Sequence, residues 1–254
     1  MKYVLVLILT AIPALSQSGT DRACEAPELI CKAAKNQDRS LYFRDHCRYE
    51  QKLHIERFNI KGGDEKMEEV RETSVRVEPA TEPDKTGKTP VEVRVIADTD
   101  KRGNPKSKVK ENERTMLSFG AVWDLAFFPL LPEKIEYYSF QEMVAQRENE
   151  VWYRFVPKPQ VTTIALASGI VQLDPLTGEV LTIKIDGMRN LDAIDKEARK
   201  LRSFYATIDY SQFEGALRMP TLASGGGISD IGRFKGNFRF RFEEAKYVLV
   251  SKIE

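Results

Sequence analysis

The chain has 254 residues, and its 39 lysines and arginines nearly balance its 38 aspartates and glutamates, which leaves a formal net charge of +1. The charges are mixed along the chain, so no basic stripe predicts nucleic-acid binding and no block of like charge predicts a membrane-surface arm. The length suits a single domain of mostly β type.

The N-terminus has the composition of a secretory signal peptide. Lys2 supplies a positive start, residues 3–15 are nearly all apolar, and Ala14-Leu15-Ser16 fits the small-x-small cleavage rule. The apolar run is too short to span a bilayer comfortably, and no stop-transfer charges follow it. We therefore expect residues 1–16 to be removed and residues 17–254 to form one periplasmic domain with no transmembrane segment.

Three cysteines, Cys24, Cys31 and Cys47, predict one disulfide and one remaining thiol in an oxidising compartment. On one continuous helix, the Cα atoms of Cys24 and Cys31 would lie about 10 Å apart, too far to bridge, and a pair with Cys47 would be easier. If the helix starts later, Cys24 and Cys31 close a small loop, so the pairing stays open. The spacings match no zinc pattern, and we expect no metal and no cofactor.

The first elements of the mature chain are a helix and a long strand. Residues 27–45 carry a rough apolar stripe behind Pro27, which suits the first helical turn. Apolar residues then alternate through Leu53 and Ile55 and change parity at Phe58, which predicts a β-bulge. A Gly-Gly-Asp turn at 62–64 leads to a predicted return strand over 70–77.

Two segments then differ from this pattern. Residues 79–114 are a charged insertion that begins with a polar loop over 79–90 and includes a short strand over 91–97. Residues 116–131 are apolar without strict alternation and predict a short helix that ends before Pro129. Such a segment serves as core, as a mobile lid or as a docking patch.

Strands dominate the rest of the chain. In the clearest one, Phe238, Phe240 and Phe242 alternate with polar and basic residues, which indicates one buried face and one solvent face. Ser224-Gly-Gly-Gly-Ile228 predicts a flexible hairpin loop, and 190–203 predicts a helical turn or two. Strands are predicted at 136–146, 151–156, 163–173, 180–185, 204–210, 213–219, 231–242 and 247–253. The expected fold is α+β and mostly β: an incomplete antiparallel β-barrel of about ten to twelve strands, with the N-terminal helix against its concave face.

Residues for catalysis are scarce. His46 and His54 are the only imidazoles, no Gly-x-Ser-x-Gly elbow exists, and Cys47 lies beside His46 rather than across a fold from it. Asp98-x-Asp100-x-x-Gly103 is similar to the start of a calcium loop, but an arginine stands at its fifth position and the distal glutamate is missing. We predict that the protein is not an enzyme.

The remaining candidate site is the apolar inner surface of the barrel. If the helix does not fill the concave face, an apolar pocket results, although the same alternating residues would line an ordinary core. The predicted pocket wall consists of Leu53, Ile55, Leu173, Ile183, Phe238 and Phe240, and the predicted rim consists of Trp123, Phe127 and Phe128.

The order of elements and two local motifs resemble a known family. The motifs are the Asp174-Pro175-x-x-Gly178 turn between apolar strands and the strand that ends at Pro220 after Phe213, ahead of the closing Phe-x-Phe-x-Phe strand. Across most of the mature chain this resembles the LolA-like group of periplasmic proteins, which contains the outer-membrane lipoprotein carrier, its receptor partner and a sigma-factor regulator. The resemblance implies an incomplete antiparallel barrel with lid helices that binds acyl chains or lipoproteins in its interior.

These observations lead to two hypotheses. Under the first, a non-enzymatic periplasmic protein buries a lipid, an acyl chain or a lipoprotein acyl group, and each methylene taken from water contributes about 0.8 kcal/mol. Under the alternative, the core is filled, and a protein-interaction or envelope-sensing module binds another envelope protein through a strand edge or through residues 106–131.

Overall fold

The computed structural model describes residues 24–79, 91–107, 120–144, 149–194, 196, 198–213, 217–230 and 235–250. The predicted signal peptide and polar loop therefore lie outside the described residues, apart from Pro79 itself. The helices are α1 (Glu28–Asp45), α2 (Gly120–Phe127) and α3 (Pro132–Ile135), with single 3₁₀ turns at Leu191–Ala193 and Ala198–Lys200. The strands are β1 (Cys47–Lys61), β2 (Asp64–Pro79), β3 (Val91–Asp98), β4 (Tyr138–Met143), β5 (Val151–Pro157), β6 (Leu166–Leu173), β7 (Val180–Arg189), β8 (Leu201–Gln212), β9 (Arg218–Ser229) and β10 (Gly236–Leu249).

The described strands form a single antiparallel sheet in the order β3-β2-β1-β10-β9-β8-β7-β6-β5-β4. Strands that follow one another in the chain pair in the sheet, with the exception of β3 and β4, and β10 returns to pair with β1. Strands β3 and β4 stand at the two ends of this order and do not pair with each other among the described residues. The predicted incomplete barrel, mostly β with one substantial helix, is confirmed.

Helix α1 lies against the concave face of the sheet, as predicted. Pro27 precedes its first residue, and the spacing of Ile30, Ala33 and Ala34 produces a buried apolar stripe. Because the helix begins at Glu28, Cys24 lies in the segment before it, and its Cα is 6.0 Å from that of Cys31 in the disulfide that joins the two. The remaining cysteine, Cys47, is buried at the start of β1.

The long β1–β2 hairpin has the irregularity that the change of parity predicts. The register between the strands shifts between Arg57 and Phe58, which confirms the β-bulge. Gly62 and Gly63 both have positive φ values, 64° and 95°, in the turn that joins the strands. Glu68 of β2 is the extra residue at the bulge, and Ile60 beyond it is 52% exposed, so the apolar residues after the change of parity do not join the core.

The prediction of a flexible loop at 224–228 is wrong, because these residues lie inside β9. A Cβ at Gly225 would lie 2.0 Å from the carbonyl oxygen of Tyr205, and one at Gly227 would lie 2.1 Å from that of Ser203. The run of glycines therefore allows β8 to approach β9 closely. Glycine alone does not distinguish such a strand from a loop when only the sequence is considered.

The predicted strands at 213–219 and at the end of the chain are also corrected. Strand β8 ends at Gln212 and β9 begins at Arg218, and the N–H of Phe213 donates to the carbonyl of Leu217 (2.6 Å) where the chain reverses. Strand β10 runs unbroken from Gly236 to Leu249 instead of forming two strands. A left-handed residue at Lys246 (φ 61°) interrupts the alternation within it without ending the strand.

Candidate functional site

The six residues predicted to form the pocket wall all lie on the inner face of the sheet. Leu53 and Ile55 come from β1, and the register pairs Ile55 with Phe240 of the neighbouring β10. Leu173 and Ile183 come from β6 and β7, on the other half of the sheet but within the same apolar cluster. Each of these side chains, and that of Phe238, is at most 5% exposed.

The three residues predicted to form the rim lie inside the molecule. Helix α2 and the residues after it cross the concave face, and Trp123, Phe127 and Phe128 are 5%, 0% and 0% exposed. The indole of Trp123 sits among the phenylalanines of the sheet, with ring centroids 4.9 Å from Phe240 and 5.1 Å from Phe242. The segment 120–131, which we call the plug, therefore occupies the interior in this structure.

A few polar contacts hold the plug to α1 and the sheet. The side-chain amide of Gln37 donates to the carbonyl of Phe127 (3.2 Å), and its oxygen accepts from the N–H of Leu130 (3.0 Å). The hydroxyl of Tyr210 on β8 also donates to the carbonyl of Phe127. These bonds satisfy backbone groups at the end of α2 that no helical partner reaches. The other contacts of the plug with the sheet are mainly apolar.

A buried ion pair joins α1 to β10 beside the plug. Nε and Nη2 of Arg44 donate to the two carboxylate oxygens of Glu244, at 3.1 Å and 2.5 Å, and Nη1 donates to Asp124 of α2 at 3.0 Å. Gln51 (2.7 Å) and the hydroxyl of Tyr247 also donate to Glu244. Burial lowers the pKa of the Arg44 guanidinium, but Glu244, Tyr49 and Asp124 together outweigh it and hold the pKa well above the ordinary value.

One polar atom of the plug has no partner among the described residues. The indole N–H of Trp123 is buried and makes no hydrogen bond, whereas that of Trp152, on the outer face, donates to Glu150 at 3.1 Å. The rings around Trp123 belong to Phe127, Phe204, Phe240 and Phe242, which bring no strong acceptor. A buried donor left unpaired costs about 1–3 kcal/mol.

A cleft of about 270 Å³, part of it open to solvent, lies between α1 and strands β7, β8 and β9. Polar side chains line much of it, including Gln37, Ser40, Glu179 and Arg218. The guanidinium of Arg218 donates to Glu179 at 3.1 Å. This cleft borders the end of the plug through Gln37 and Tyr210, and it is not the apolar pocket predicted from the sequence.

Neither histidine belongs to a catalytic arrangement in the described residues. Nδ1 of His46 lies 2.7 Å from the carbonyl of Tyr42, and Nε2 of His54 lies 3.3 Å from Glu56 on the same strand. Within the described ranges, no three His, Cys, Asp or Glu side chains gather so as to hold a metal ion. In the same part of the chain, none of the helices combines the length and the apolar character that a membrane span requires.

The polar residues that hold the plug were missed in the sequence, although a signal for them exists. Gln37 and Arg44 continue the 30-33-34 stripe of α1, and Glu244 shares the parity of Phe240 and Phe242. A charged or amide side chain at a position that should be buried predicts a specific partner. The sequence does not say which partner, because the plug and β10 are distant from α1 along the chain.

No protein-family model matches the chain, and no curated protein matches it. A search of solved structures finds a LolA superfamily protein from Nitrosomonas europaea, at 10% identity and TM-score 0.29, covering 87% of this chain and 95% of that one. It also finds a putative outer membrane lipoprotein-sorting protein domain from Vibrio parahaemolyticus, at 10% identity and TM-score 0.32, covering 89% and 93%. A third is MucB in complex with MucA, at 10% identity and TM-score 0.22, covering 84% and 94%. What the names of these structures say about function applies to those proteins.

Proposed function

We propose that this chain is a non-enzymatic periplasmic binding protein that takes a lipid, an acyl chain or the acyl group of a lipoprotein into the interior of its half-barrel. The observation that carries the proposal is that a short segment outside the sheet, the plug, fills the concave apolar face. Withdrawal of the plug would expose a continuous apolar surface, which is the kind of surface that an acyl chain covers.

The contacts of the plug support such a movement. Its main polar attachments are to Gln37, Tyr210 and Arg44, and two of these three belong to α1 rather than to the sheet. The sheet itself is held by its own ladder of backbone hydrogen bonds and does not depend on the plug for pairing. An acyl chain that enters between the shifted plug and the sheet would bury its apolar surface at about 0.8 kcal/mol for each methylene.

The roles of the individual residues follow from their places. The wall around the acyl chain of the ligand would consist of Leu53, Ile55, Leu173, Ile183, Phe238 and Phe240. Trp123, Phe127 and Phe128, on the movable segment, would cover it and form the rim once the plug has shifted. The envelope is the compartment in which a protein with a structural disulfide between Cys24 and Cys31 persists in the oxidised form.

A second candidate rests on the filled interior. If the plug does not move, its side chains are simply core, and the protein is a protein-interaction or envelope-sensing module. Within the described residues, the edge strands β3 and β4 each pair on one side only, and their other sides would receive an extended segment of another envelope protein.

The test is native mass spectrometry of the protein purified from its own envelope, followed by photolabelling with a diazirine analogue of palmitic acid. We expect a bound mass of lipid size and adducts on the inner face, at residues such as Leu53, Ile183 and Phe240. Exposed apolar residues of the outer surface, such as Ile60 and Met67, are the internal control. A ligand-free mass without uptake, or adducts confined to the outer surface, would support the second candidate.

A further inference from the structure

We infer that the indole N–H of Trp123 makes the interior selective for acyl ligands that carry an oxygen acceptor, such as an ester or a carboxyl group, over plain hydrocarbon. This inference rests on the proposed function, because it concerns a ligand that enters beside the plug.

The indole N–H of Trp123 is a hydrogen-bond donor in an apolar environment. Indole is a donor only, so its N–H needs an acceptor wherever it is shielded from water. Trp123 is 5% exposed, and its N–H has no hydrogen-bond partner in the part of the chain that the structure describes. The four phenyl rings around the indole contribute dispersion contacts but no oxygen acceptor. Buried polar atoms of this kind are rare in folded proteins and call for a partner.

The Trp123 indole lies against the proposed wall of the ligand site. Trp123 contacts Phe240, one of the residues proposed to line the acyl chain, with 4.9 Å between the ring centroids. A ligand that lies on the wall beneath the plug would therefore pass next to the indole. An ester or carboxyl oxygen at that point would satisfy the N–H, whereas a methylene would leave it unpaired.

The other tryptophan, Trp152, differs from Trp123 in its hydrogen bonding. Of the two tryptophans, Trp152 lies half-buried on the outer face, and its N–H already donates to Glu150 at 3.1 Å. The N–H of Trp152 therefore already has an acceptor, and substitution of Trp152 should leave the ligand preference unchanged. Trp152→Phe is accordingly the matched control for Trp123→Phe.

The experiment measures the affinities of methyl decanoate and dodecane, which have the same chain length and differ in the ester. Both are delivered to the purified protein from methyl-β-cyclodextrin. The ratio of the two dissociation constants is compared between the wild type, W123F and W152F. A substitution that changes the free energy of plug opening changes both dissociation constants by the same factor. The ratio of the two constants is therefore independent of that change. We expect W123F to lose a preference for the ester of about 5–10-fold, and W152F to keep it.

Two further measurements keep the test decisive if W123F folds poorly. Benzothienylalanine at position 123 keeps the two-ring shape without the N–H and should lose the same preference. In the W152F protein, the single remaining indole N–H resonance should move downfield when methyl decanoate binds and stay in place with dodecane.

The outcomes separate this inference from the proposed function. If both probes bind and the ratio is the same within about twofold in all variants, Trp123 does not select the ligand, although the interior still binds acyl chains. If neither probe binds the wild type, the proposed function fails and this inference fails with it.

Discussion

Glu244 is a carboxylate on the inner face of β10, where its strand neighbours at the same parity are phenylalanines. Its side chain is 0% exposed and that of Arg44 is 6% exposed, so the ion pair between them is shielded from water. Gln51 and Tyr247 complete the hydrogen bonds of the carboxylate. A buried pair of this kind does not by itself stabilise a fold, but the loss of one partner leaves the other charge buried and uncompensated.

Substitution of Glu244 by glutamine should therefore lower the free energy of unfolding by about 3 kcal/mol, because Arg44 keeps its charge inside the molecule. The matched control is Glu243→Gln. Glu243 is 43% exposed, and its pair with Arg241 lies on the outer face, so we expect a change of about 0.5 kcal/mol or less. Urea denaturation of both variants is the measurement. Equal effects at the two positions would show that burial of the pair has no energetic consequence.

The plug is the element on which the candidate site depends. It contributes large side chains to the interior without belonging to the sheet, and its end is held by the amide of Gln37. Because the plug lies outside the hydrogen-bond ladder of the sheet, it is a unit that opens without breaking the pairing of the strands it covers. The hydrogen bonds of Gln37 should therefore control how often the interior opens.

We expect Gln37→Ala to destabilise the protein by about 1–3 kcal/mol, since the N–H of Leu130 loses its acceptor inside the molecule. Hydrogen exchange of the plug amides should accelerate, while the amides of β10 should stay protected. The control on the same helix is Asn36→Ala, which removes a hydrogen bond to the carbonyl of Thr177 at the surface and should cost about 0.5 kcal/mol or less. Plug and β10 amides that accelerate together in Gln37→Ala would contradict independent opening of the plug.

At the scale of the whole molecule, one sheet of ten described strands encloses a single apolar cluster that contains several tyrosines. Burial raises the pKa of Tyr49, of Tyr210 and of Tyr247 above the ordinary value, and for Tyr247 the charge of Glu244 adds to the effect. Below about pH 10 these phenols are neutral in both the folded and the unfolded chain. Above it, the unfolded chain ionises first and is stabilised.

The free energy of unfolding should therefore stay intact up to about pH 10 and fall as the pH rises further, by about 1.4 kcal/mol per pH unit for each tyrosine that stays neutral in the fold. Urea denaturation at about pH 8 and about pH 11 measures the loss. The tyrosinate absorbance of these residues should appear together with the loss of far-UV circular dichroism. Unchanged stability over that interval would show that these phenols are not shielded from ionisation.

Local pattern alone determined much of this fold. The alternation of Phe238, Phe240 and Phe242 predicted the buried face of β10, the change of parity at Phe58 predicted a bulge, and Pro27 marked the start of α1. These features depend on residues within a few positions of one another, and the periods of strand and helix convert them directly into faces. All six proposed wall residues are buried, and their part in ligand binding stays a prediction.

What the sequence left open depended on contacts between distant residues. The glycines of β9 were predicted to form a loop. They are needed because β8 approaches β9 closely, and this approach exists only once the two strands pair. The disulfide pairing depended on where α1 begins. The place of the plug inside the barrel, its attachment to Gln37 and the unpaired N–H of Trp123 exist only once α1, α2 and β10 meet. Apolar composition determines that a side chain leaves water, but the tertiary structure decides which side chains surround it and which polar atoms find no partner.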